Sequence, residues 1–149
     1  MKDAADYWRR GEPREAGRLL FSGLSSSQRV KCAQRILAFI ARDGKVPAEI
    51  PELIAAARER SKWSDAKELF ESLRRKLLKD ENQEGADVLL AGEYAAKVIY
   101  NESIAGGLPG YDQTCGEWMV DCFYNVVSKA SRKERLEEAW NELLECTSS

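Results

Sequence analysis

The chain contains no histidine. Histidine is the commonest general base near neutral pH and the commonest transition-metal ligand. Its absence excludes the Ser-His-Asp triad, histidine-ligated zinc and the Glu-x-x-His helices of di-iron bundles. Catalysis by Cys, Lys or carboxylates alone stays open. A second gap is a phosphate loop: no G-x-x-x-x-G-K-[ST] occurs anywhere. The four cysteines, Cys32, Cys115, Cys122 and Cys146, form no Cys-x-x-Cys pair. Their scatter reads as reduced, buried apolar side chains rather than a disulfide framework. No apolar run approaches the ~18 residues of a membrane span. The start, MKDAADYWRR, has acids and no apolar stretch, so no signal peptide is expected and the cytoplasm is the expected location.

What is present suits one globular domain. The 149 residues are 44% hydrophobic and 32% charged, with a net charge of −2. The charge is uneven. Residues 1–82 carry 18 Lys/Arg against 13 Asp/Glu, and residues 83–149 carry 5 against 12. Clusters such as Arg74, Arg75, Lys76 and Lys79 have acidic neighbours and no interleaved aromatics. They read as solvated helix faces, and a nucleic-acid partner is not expected.

Helical spacing recurs throughout, β-branched residues are thin and no segment alternates as a strand would. Asp3 is placed to cap a short first helix ending near Arg10–Gly11, and Pro13 to open a second ending at Gly23. Val30, Ala33, Ile36, Leu37 and Ile40 make the apolar face of a third. Pro51 opens PELIAAARER. Ser64 is placed to cap a helix with a stripe of Ala66, Leu69, Phe70, Leu73, Leu77 and Leu78. Ser131 and Glu134 form a capping-box pattern for the last helix, whose Trp140 reads as core. Two segments share the flavour of helical-hairpin repeats, but no fixed period supports a solenoid. The expected fold is all-α: a single-domain bundle or array of six to seven helices over 1–149, with a central antiparallel pair at 84–103 and 117–129.

Those two central helices are apolar nearly all round, as buried helices are. Each keeps one polar ladder at i, i+4, i+8: Glu93, Lys97 and Asn101 on the first, Glu117, Asp121 and Asn125 on the second. If the ladders face each other, Lys97 can meet Asp121. Between the helices lies a stretch dense in unusual residues, IAGGLPGYDQTCGEW. Gly106 and Gly107 are placed to end the helix and Pro109-Gly110 to turn, while Gly110 and Gly116 allow close backbone approach. Cys115 lacks a histidine base. Tyr111, Asp112 and Trp118 remain as an acidic and aromatic patch of the kind proteins bind through.

The sequence therefore points to a small, non-enzymatic protein-interaction module, adaptor- or immunity-like, binding through loop 104–118. Tyr111, Asp112, Trp118, Glu93, Lys97 and Asp121 are its candidate binding residues. The expected partner is another protein of basic character, and self-association is compatible. No catalytic residue, metal or cofactor is assigned. The alternative is a small-molecule or metal-binding protein with hydrolytic chemistry, its polar site lying between helices 84–103 and 117–129.

Overall fold

Asp3 caps the first helix through two reciprocal hydrogen bonds. In a computed structural model, which describes residues 3–42, 63–103, 111–129 and 133–147, the Asp6 backbone N–H donates to the Asp3 carboxylate at 3.0 Å. The Asp3 N–H donates to the Asp6 carboxylate at 3.4 Å. This capping box opens α1 (Ala4–Arg9). The helix stops at Gly11, whose φ of 78° is left-handed. There the Gly11 and Glu12 N–H groups return to the carbonyls of Trp8 and Tyr7. Pro13 then starts α2 (Pro13–Ser22) at the position where its missing N–H costs nothing. Ser25 and Gln28 exchange a second reciprocal pair of bonds at the head of α3 (Ser26–Arg42).

Four longer helices follow: α4 (Trp63–Lys79), α5 (Gln83–Ser103), α6 (Tyr111–Lys129) and α7 (Lys133–Glu145). The turn from α4 to α5 uses the same closure as the end of α1, with Glu81 in the left-handed place at φ 60°. The described residues thus form seven helices and no strand, an all-α array. None of these helices is long and apolar enough to cross a membrane.

Three expectations are adjusted. The second central helix begins at Tyr111 rather than Glu117, because Gly116 lies inside it and does not interrupt it. Ser64 lies within the first turn of α4, which starts one residue earlier. Leu78 is 45% exposed, off the apolar stripe that Phe70 anchors. The segment PELIAAARER and Ser131 lie outside the described residues.

One hydrophobic cluster draws side chains from all seven helices. Trp8, Phe21, Phe70, Phe123 and Trp140 are its largest fully buried members, each such side chain contributing about 1.5–3 kcal/mol on burial. Helix α6 lies at the centre, packed on α2, α5 and α7. Its pairing with α5 is antiparallel: Lys129 meets Asp87, Trp118 meets Tyr94, and Cys115 meets Asn101. Helix α7 returns to the first helix, where the Trp8 indole N–H donates to the Leu136 carbonyl at 3.0 Å. All four cysteines are buried thiols.

Candidate functional site

Where α5 and α6 run past the first turn of α2, an open cleft of about 430 Å³ forms. Leu90 and Tyr94 line it from α5. Trp118, Asp121, Cys122 and Tyr124 line it from α6, and Gly11 and Pro13 close the rim. These positions follow from helical spacing. Leu90 and Tyr94 are four apart on one face, as are Trp118 and Cys122, with Asp121 one turn beyond Trp118. The Tyr94 and Trp118 rings lie nearly parallel, 17° between planes and 6.3 Å between centroids. The two rings are thus stacked on each other beside the cleft. Trp118 remains 36% exposed. Tyr124 is held edge-on against the buried Trp8.

Charge in the cleft is sparse. Asp121 is its only carboxylate among the described lining residues, and it accepts no hydrogen bond from any described residue. Partial burial pushes its carboxyl above the usual range, and the charge of Arg14 opposes that shift. The Arg14 guanidinium itself lies over the Trp118 ring, 4.2 Å from the centroid. Burial also raises the Tyr94 phenol. Cys122 is pushed up to about 12, first by burial and then by Asp121, Asp87 and Glu93. It is therefore a neutral thiol at physiological pH, not a nucleophile.

The structure brings together two of the six candidate residues, Trp118 and Asp121. Glu93 is drawn aside to α4, where Arg74 Nη1 donates to its carboxylate at 3.0 Å. Lys97 is half-buried on α5, and its charge acts on the Tyr94 phenol. The cation acting on Asp121 is Arg14, rather than the Lys97 that facing ladders would have offered. Asp87, near the start of α5, pairs with Lys129 at 2.6 Å. Tyr111 and Asp112 open α6, but their side chains lie outside what is described, as do residues 104–110. The expected binding loop 104–118 is thus helical from Tyr111 onward.

Sequence reasoning missed Arg14, which sits on the exposed face of an ordinary amphipathic helix. Nothing local to position 14 signals its place above an indole 104 residues away.

A second hollow of about 500 Å³, between α1, α2 and the head of α3, is lined by Tyr7, Leu19, Leu20 and Leu24. Its one cation, Arg18, is committed to Glu15 at 2.7 Å. Among the described residues no three His, Cys, Asp or Glu side chains are grouped to hold a metal ion. No protein-family model matches the chain, and no characterised protein or solved structure emerges as a relative.

Proposed function

We propose that this chain is a non-enzymatic, adaptor-like binding module that docks a segment of another protein in the cleft between α2, α5 and α6. The observation that carries this reading is the unbonded Asp121 carboxylate in the same cleft as the exposed Trp118, whose ring stacks on Tyr94. An aromatic anchor next to an unsatisfied charge is the composition of a protein-recognition hot spot. The acidic balance of residues 83–149 favours a basic partner. The hydrolytic alternative has less support. Only one described carboxylate faces the cleft, its thiol is neutral, and Glu93 is committed elsewhere.

Affinity capture with the wild type, Trp118→Ala, Asp121→Asn and the remote control Leu144→Ala tests the proposal. A specific protein should be retained by the wild type and the control and lost by both cleft variants. Once purified, that protein should bind directly with one-to-one stoichiometry in calorimetry. Identical direct binding by folded cleft variants overturns the reading.

A further inference from the structure

We infer that the cleft recognises the guanidinium of an arginine side chain on the partner protein, and that Arg14 holds this place in the free chain. The inference rests on the docking reading above and specifies its partner.

Three observations support it. First, the exposed Trp118 ring already carries a guanidinium, that of Arg14, at 4.2 Å. The ring is therefore oriented and accessible for a planar cation. Second, Arg14 makes no ion pair or hydrogen bond with any described residue, and neither does Asp121. The Arg14 guanidinium over the Trp118 ring and the Asp121 carboxylate lining the cleft thus do not touch, and the influence of one on the other is purely through space. Third, the contact holding Arg14 is of the weak, solvent-exposed kind, so displacement costs little.

An incoming arginine has access to what Arg14 does not reach. It can stack on the Trp118 indole and turn its paired N–H donors to the Asp121 carboxylate. Arg14 is anchored one residue into α2 and stays over the ring. A planar fork that both stacks and donates twice selects arginine over lysine, whose ammonium is a compact point charge. Glu117, one turn before Asp121 on α6, adds to the field that draws a cation in.

The test uses the full chain and a short capped peptide with one arginine among small neutral residues. Lysine and citrulline counterparts and free arginine serve as comparisons. The Trp118 indole signal in NMR reports occupancy. The arginine peptide should bind saturably and the citrulline peptide at least about tenfold more weakly, the scale of a lost charge-assisted hydrogen bond. Asp121→Asn should weaken the arginine peptide by a similar factor. Arg14→Ala should tighten it about two- to fivefold, as removal of an exposed cation–π competitor.

No saturable shift even in Arg14→Ala overturns the inference. So does weaker binding by that variant, or equal affinity for the lysine or citrulline peptide. Tighter binding of free arginine than of the capped peptide overturns the assignment to a protein partner. If capture of the partner depends on Trp118 but no probe shows an arginine preference, this inference falls and the docking reading stands. If arginine binds while capture ignores the cleft, the docking reading falls instead.

Discussion

The ring of Phe21 fills the space that a side chain at position 116 would need. A Cβ on Gly116 would lie 2.3 Å from Phe21 Cδ1, well inside contact distance. Phe21 is fully buried and cannot swing away. The same two helices approach closely again at Gly17, where a Cβ would meet Val120 at 3.0 Å. Gly116→Ala should therefore destabilise the fold by about 1–3 kcal/mol through overpacking, despite alanine's better helix propensity. Urea unfolding measures this. Combined with Phe21→Leu, the two changes should cost less than their sum, as neighbours sharing one space do.

Arg74 and Glu93 tie α4 to the central pair at 3.0 Å, with their side chains 27% and 13% exposed. The other Glu93 oxygen is buried without a partner. Removing the arginine leaves a mostly buried carboxylate with nothing to offset it. Arg74→Ala is expected to cost about 1–3 kcal/mol, and Arg74→Ala with Glu93→Gln less than the single change. A double-mutant cycle in denaturant checks both.

Asp121 sets a pH dependence of definite sign. Burial raises its folded-state pKa above the unfolded value, so between the two the folded chain holds more protons. Its contribution is most favourable in acid, below the ordinary carboxylate range. It is lost as pH rises through the raised value. Asp121→Asn should raise the melting temperature at neutral pH and leave it nearly unchanged in acid. Melting curves across that window test it; a gain of equal size at both ends would contradict the prediction.

The four thiols should differ in reactivity. Cys32 donates its S–H to the Cys146 sulfur, which with burial raises Cys32 well above the ordinary thiol range and lowers Cys146. Cys146 in turn donates to the Leu143 carbonyl at 2.6 Å. Cys122 is pushed up to about 12. Iodoacetamide on the native protein should therefore label the four buried thiols far more slowly than after unfolding, with the strongly raised Cys32 and Cys122 among the slowest. Peptide mapping over time resolves the order.

Local signals in the sequence were read correctly where a single helix decides the outcome. Asp3, Gly11 and Pro13 bound their helices by caps and turns that involve only near neighbours. The burial of Trp140 and the pairing of the two central helices were likewise legible from apolar spacing. A glycine at position 116 signals punctuation and close packing alike, and the close backbone approach expected there is what forms. Only the position of Phe21, 95 residues earlier, decides between them. The partners of the polar ladders depend on neighbouring helices in the same way. Glu93 had a local partner four residues on, but Arg74 on a neighbouring helix takes it. Of the candidate site, the sequence placed Trp118 and Asp121 on one helix. It could not place Arg14 above them, since that depends on how α2 crosses α6.

The bond between the Trp8 indole and the Leu136 carbonyl spans 128 positions, and Arg9 grips Glu137 beside it at 3.1 Å. A chain made from its N-terminus at ~5–20 residues per second leaves Trp8 waiting roughly 6–25 s for that carbonyl. During this interval the first helix has its caps but not its cover, and a large aromatic face stays open on the nascent chain. Helix α7 thus closes α1 only after the intervening residues have been made. A message cut short before position 136 would yield a protein whose opening turn never finds its lid.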